Sequence, residues 1–346
     1  MPDPAPNPDA YPALRRAVDG WRAAHPALSR APGWPVWLGA LALLALFAVI
    51  ALPFLIPLGG PEVLSPEALA DPDGFFVALD GETLYAVHTP GEGPAVLLLH
   101  GFGGSTVTWR ETMPALAAAG YDVYALDLRG FGLSDKGYAA DYSHPAQARR
   151  VVAWMDAVGL GRVALVGHSM GGSVAAHVAL SAPDRVSRLV LVDAALLEQD
   201  AGGTVPRGLL DVPFLRRWAQ LGLRRAAPDY VDDLLRDAAS NDGALSPELM
   251  AGYQRALRTP EWELGLLGIL RDGNRNTPPV RQLQMPTLII WGARDTWVPP
   301  ENGAQLEAVI PEAERVELDG VGHLPMHEAP AAFHAALIDF LGRSAS

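Results

Sequence analysis

The stretch Val163-Ala-Leu-Val-Gly167-His168-Ser169-Met170-Gly171-Gly172 decides how this chain reads. Four apolar residues end on a glycine, a serine follows two positions later, and residues 173–181 then carry a helical pattern. A strand, a sharp turn and a helix built around Gly-x-Ser-x-Gly make a nucleophile elbow. The turn is so tight that a Cβ at Gly167 or Gly171 would collide with neighbouring backbone, and it leaves the Ser169 hydroxyl exposed at the carboxyl edge of a sheet. The helix N-terminus beside Ser169 favours negative charge on the reacting oxygen.

Around the elbow, Ala95–Leu99, residues 123–126 and residues 189–192 are short apolar runs bounded by Gly, Asp or His. Such runs, without polar alternation, suit strands buried on both faces of a parallel sheet. Residues 146–158 supply a helical segment between two of them, and a βαβ series predicts a doubly wound sheet. Residues 75–79 and 83–87 flank Asp80-Gly81, which predicts a hairpin ahead of the series. The rhythm breaks over residues 196–282, where amphipathic pieces (209–223, 230–239 and 247–257) replace strands. It resumes at residues 287–291 and 314–318 and ends on a helix over 331–341. The expectation is an α/β core of residues 74–195 and 283–343, with helices on both faces and a helical lid inserted over 196–282. No internal repeat is visible.

The chemistry follows from the same edge. Acyl transfer needs N–H donors aimed at the developing oxyanion. Met170, just after the nucleophile, supplies one; Phe102, in His100-Gly-Phe-Gly-Gly104 after the run Ala95–Leu99, supplies the second. Serine needs an adjacent base at neutral pH. Of nine histidines, His323 sits in a loop between the last strand and the last helix, at the edge that holds Ser169. His327 falls at the helix surface, and His168 points away from Ser169. The base must be held in one tautomer by an acid. Asp295, in Trp291-Gly-Ala-Arg-Asp295, fits the chain order Ser, Asp, His; Asp193, after residues 189–192, is its competitor.

Taken together, His100–Gly104, residues 127–135 (Asp-Leu-Arg-Gly-Phe-Gly-Leu-Ser-Asp), Gly167–Gly172, Gly292–Asp295, and Gly322-His323 with Glu328 and Pro330 occur in the order and spacing of one family. Over roughly residues 74–343 the chain resembles the lid-bearing α/β-hydrolase superfamily, serine hydrolases of esterase and lipase type. The resemblance implies a Ser169–Asp295–His323 triad, an oxyanion hole at Phe102 and Met170, no cofactor and no metal, and a structural role for residues 127–135. Dehalogenases and epoxide hydrolases of similar pattern use aspartate at the elbow, so Ser169 argues against both. The activity implied is hydrolysis of carboxylic esters of a small-molecule substrate with an apolar acyl group. Carbon–carbon bond hydrolysis or perhydrolysis on the same fold, or a ligand receptor that keeps the triad, are the alternatives.

The N-terminal part reads differently. No charged residue occurs from Ala31 to Pro61, and residues 36–56 are long and apolar enough to cross a bilayer as a helix. Trp34 and Trp37 suit an interfacial belt, and Pro53 and Pro57 fall where a helix can stop or kink. Arg15, Arg16, Arg22 and Arg30 precede the span; Glu62, Glu67, Asp71 and Asp73 follow it, with no Lys or Arg until Arg110. The positive-inside rule then puts a tail of little structure (residues 1–33) in the cytoplasm, a transmembrane helix over 34–58, a linker over 59–73 and the catalytic part outside. A cleaved signal peptide is the rival reading, but the leader of some thirty residues is long for one. The chain has 346 residues, no cysteine and a net charge of −13. Disulfides, thiolate nucleophiles and cysteine-bound metals are thereby excluded, and the acidity argues against nucleic acid as a partner.

Overall fold

The computed structural model describes residues 12–24, 34–59, 62–197, 207–272 and 277–343. They fall into two units, residues 1–57 and residues 58–346. The first holds two helices, α1 (Pro12–Ala24) and α2 (Trp34–Leu55). α2 is apolar on all sides, with its window Pro35–Leu55 long enough to span a bilayer and almost wholly exposed. α1 departs from the expectation of a structureless tail. Its Ala and Arg residues are strong helix formers, and its apolar residues recur every three to four positions. The remainder of the expected tail, residues 1–11 and 25–33 with Arg30, lies outside the described residues.

The second unit is built on an eight-stranded sheet in the order β1-β2-β4-β3-β5-β6-β7-β8. The strands are β1 (Gly74–Leu79), β2 (Glu82–Thr89), β3 (Ala95–Leu99), β4 (Asp122–Leu126), β5 (Val163–His168), β6 (Val186–Val192), β7 (Thr287–Gly292) and β8 (Ala313–Leu318). β2 runs antiparallel to β1 and β4, and every other pairing is parallel. Asp80 and Gly81, both at positive φ, close the β1–β2 hairpin, as the Asp-Gly pair demands.

The helices that follow α2 are α3 (Pro66–Leu69), α4 (Thr112–Ala118), α5 (His144–Ala157), α6 (Met170–Ser181), α7 (Arg207–Asp211), α8 (Pro213–Ala238), α9 (Pro247–Gln254), α10 (Trp262–Asp272), α11 (Pro300–Val309), α12 (Pro325–Glu328) and α13 (Pro330–Gly342). Residues alternate across the sheet, so each strand feeds two cores. Leu97 and Leu165 join Val151 and Trp154 of α5 and Val174 of α6 on one face. Leu98 and Val166 join Leu116 of α4 and Phe333 and Leu337 of α13 on the other.

Between β6 and β7 the described residues contain helices and no strand. α8 is a single helix of 26 residues, where the apolar pattern reads as two pieces. The pattern breaks at Arg224, yet Arg224 is buried, because Glu263 of α10 pairs with it at 3.1 Å. A buried charge held by a buried partner is invisible to a hydrophobicity reading.

Candidate active site

Parallel strands carry their loops to one edge, and β3, β5, β6, β7 and β8 deliver Phe102, Ser169, Asp193, Asp295 and His323 there. Ser169 follows β5 with φ 52 and ψ −119, a conformation that costs a non-glycine residue about 1–3 kcal/mol. Neighbouring backbone holds it. Its N–H donates to the Val192 carbonyl at 2.8 Å, and its own carbonyl accepts from Gly172 and Ala195. The glycines have no alternative: a Cβ on Gly167 would lie 2.4 Å from the Gly171 oxygen, and one on Gly171 would lie 2.4 Å from both the Leu99 and His100 oxygens.

The loop after β3 packs against the elbow, since a Cβ on Gly101 would come within 2.9 Å of Ser169 Cβ. His100 ties that loop down. Its Nδ1–H donates to the Gly101 carbonyl at 2.7 Å and its Nε2 accepts from Leu128 N–H at 3.0 Å. Burial lowers the His100 pKa, consistent with a neutral ring acting as both donor and acceptor. Met170 opens α6, and first-turn amides of a helix have no intrahelical acceptor. Asp127, for which the resemblance implies a structural role, accepts from Thr106 N–H and Leu133 N–H at 2.6 Å each and so ties the short helical turn Thr106–Trp109 to the loop after β4.

Asp295 and His323 are brought together. Asp295 Oδ2 lies 2.7 Å from His323 Nδ1, with both side chains buried. The other carboxylate oxygen accepts from Trp297 N–H and Val298 N–H. A proton on Nδ1 directed at the carboxylate leaves the Nε2 lone pair available, the tautomer a general base needs. The His323 loop is pinned from three sides. His323 N–H donates to the Ala238 carbonyl at the end of α8. Glu328 accepts from Gly322 N–H, Leu324 N–H and Ser240 N–H. The Trp297 ring tilts over the imidazole at 5.3 Å and donates its Nε1–H to Asp237 of α8.

Three features escape a sequence reading. His168 does not simply turn away: its Nε2–H donates to the His323 carbonyl at 2.8 Å, and its ring sits 4.8 Å from the His323 ring. Burial, then the neighbouring His323, depresses its pKa well below the usual histidine range. His327 is not a surface residue; it is buried and shares a 3.0 Å hydrogen bond with the Tyr253 hydroxyl. Asp193 does not contact the imidazole in place of Asp295 but lies behind the pair, with one polar atom of each of the three residues within 4.8 Å of the others. Its Oδ1 accepts from Gly292 N–H at 2.8 Å, while its buried Oδ2 has no donor. Burial, followed by the adjacent Asp295 charge, raises the Asp193 pKa well above the carboxylate range. Both causes favour the protonated, uncharged form of the Asp193 carboxyl. The sequence signal was its position directly after the apolar run 189–192.

An apolar cavity of about 240 Å³ adjoins this edge. Leu223, Val231 and Leu234 of α8 and Trp262 and Leu266 of α10 roof it, and Phe102 lies on its floor. Phe102, Val231, Leu234 and Tyr253 also line a smaller hollow that reaches His168, Trp297 and His323, so the cavity leads toward the histidine.

A family model described as the alpha/beta hydrolase fold matches residues 94–330. The chain belongs to the α/β-hydrolase fold family. As an α/β hydrolase it has instructive relatives. The YugF hydrolase of Bacillus subtilis is 27% identical over 266 residues, covering 76% of this chain and 96% of the relative. The 2-hydroxy-6-oxo-6-phenylhexa-2,4-dienoate hydrolase of Burkholderia cepacia is 28% identical over 259 residues, covering 72% and 88%. Among solved structures, a bacterial membrane phospholipase A superposes with a TM-score of 0.63 at 25% identity, covering 94% of this chain and 98% of that one. Coverage of that extent reaches into the residues before Leu58, beyond the family model.

Proposed function

We propose that this α/β hydrolase is a membrane-anchored serine esterase acting on esters with an apolar acyl group. The observation that carries the reading is the elbow serine at the edge where His323 is held by Asp295, with an apolar cavity beside them. Ser169 Oγ attacks the ester carbonyl carbon as His323 Nε2 takes its proton. The carbonyl oxygen becomes an oxyanion, which the Phe102 and Met170 amides receive. Collapse expels the alcohol, protonated by His323, and leaves an acyl-Ser169. His323 then takes a proton from water as the oxygen attacks the acyl carbon, and collapse of that intermediate releases the carboxylic acid while His323 returns the proton to Ser169 Oγ. Asp295 stays ionised throughout and stabilises the imidazolium. Residues 196–282 serve as the lid, whose helices contribute the apolar wall.

α2 serves as a single transmembrane anchor, with the N-terminus cytoplasmic and the catalytic unit outside, following the Arg-rich flank before it and the acidic flank after it. The likeness to a membrane phospholipase A that extends into this segment supports both the anchor and an ester substrate.

The test is hydrolysis of a chain-length series of p-nitrophenyl esters by the detergent-solubilised chain and by Ser169→Ala. Turnover should favour acyl chains over acetate and fall at least about 10³-fold in the variant. Equal rates in the two proteins refute the serine mechanism. The Burkholderia relative favours a second reading, carbon–carbon bond hydrolysis of a dienoate; Ser169-dependent turnover of such a dienoate with no ester turnover would select it.

A further inference from the structure

Helix α1 has two unlike sides. At about 3.6 residues per turn, Ala13, Ala17, Val18, Trp21 and Ala24 fall within one sector, and Arg15, Arg16 and Asp19 fall in the opposite one. Val18 and Trp21 are 41% and 54% exposed. A helix of 13 residues with a glycine at position 20 is marginal in water unless its apolar side is covered. What covers it is constrained by the chain. Only nine residues separate the end of α1 from the start of α2, and nine residues reach at most about 32 Å. Where α2 enters a bilayer, α1 is confined to the same bilayer surface.

We propose that α1 is an interfacial helix that lies on the bilayer, with Val18 and Trp21 at the acyl boundary and Arg15 and Arg16 on anionic phosphate headgroups. Tryptophan fits the interface because its ring is apolar and its N–H is polar. The two guanidinium groups reach lipid phosphates as charge-assisted donors, and the single acid, Asp19, sits at the middle of the polar side, away from the lipid. The helix thus has the pattern of a surface-lying segment, apolar on one side and basic along the other. The same surface is unlike α2, which has no polar side at all. The proposal rests on the anchor reading of α2.

The chain has no cysteine, so Val18→Cys, Asp19→Cys and Leu44→Cys in the full chain each carry one nitroxide label. The labelled proteins are reconstituted in phosphatidylcholine vesicles with and without phosphatidylglycerol. Collision rates with oxygen, which partitions into lipid, and with a water-soluble nickel chelate are then compared by spin resonance. In anionic vesicles the oxygen-to-nickel ratio should be several-fold higher at position 18 than at position 19. It should fall toward the position 19 value when Arg15→Gln and Arg16→Gln are added or phosphatidylglycerol is omitted. Equal nickel access at positions 18 and 19 overturns the proposal. So does an 18-to-19 contrast indifferent to headgroup charge and to the two arginines, because it removes the anionic partner. Protection of both positions from both reagents also overturns it, in favour of packing against protein. A water-accessible label at position 44 identifies failure of the anchor reading itself; an oxygen-rich position 44 with water-exposed positions 18 and 19 locates the failure in α1.

Discussion

Replacing Asp193 with asparagine separates a neutral acid from an ionised one. Asn keeps an oxygen for the Gly292 N–H that Asp193 Oδ1 now accepts, and its amide nitrogen takes the place of Oδ2, which has no hydrogen-bond partner. It also tolerates the positive φ of 42 at this position. Burial and the Asp295 charge raise the folded-state pKa of Asp193, while in the unfolded chain the group titrates near about 3.9. Below that pH both states are protonated and the acid costs nothing. Above it the unfolded state ionises while the native state keeps its proton, so stability falls by about 1.4 kcal/mol per pH unit until the native pKa is reached. The asparagine variant lacks this slope. Residues 58–346, which form a compact unit, should therefore gain on the native protein as the pH rises from 5 toward the native pKa of Asp193. Urea denaturation of both proteins at pH 5, 6 and 7 reads the difference directly. Ester turnover should stay within a few-fold, because the hydrogen-bonding pattern is retained. Parallel stability profiles would refute the reasoning: Asp193 would then be ionised in the native state.

Glu328→Ala strips acceptors from Gly322, Leu324 and Ser240 N–H groups and should cost about 2 kcal/mol or more. It should lower kcat more than it raises KM, since the His323 loop loosens while the cavity stays; steady-state kinetics with a thermal melt check both. Leu266→Trp narrows the apolar cavity and should cut kcat/KM for the longest esters at least about tenfold with little change for acetate. Gly171→Ala brings a Cβ against two carbonyl oxygens, and a loss of about 3 kcal/mol is expected on denaturation.

Much of the catalytic edge is legible because its parts are locally encoded. The elbow needs its glycines within five residues, and Asp295 and His323 each follow directly on a strand. What sequence does not carry is how neighbouring strand ends meet. Asp193 reads as a rival to Asp295 because both end adjacent strands, and only the register of β6 against β7 puts one behind the other. The roles of His168 and His327 depend on partners 155 and 74 residues away, beyond any periodic pattern. The continuity of α8 hides behind the Arg224–Glu263 pair, since a charge in the apolar stripe interrupts the period from which a helix is read. The helix α1 was obscured by the Pro- and Asp-rich residues around it.

The end of α8 has a consequence for how the site fails. Ala238 and Ser240 hold the His323 loop, and Asp237 holds the indole that lies over the imidazole. The same helix roofs the cavity. Local melting of that helix removes the roof and disorganises the base in a single event. On the proposed reading of the site, a partly opened molecule is thus an inactive one: the hydrolase has a built-in interlock, in which a substrate that reaches Ser169 from bulk water, without an ordered roof above it, finds His323 out of place.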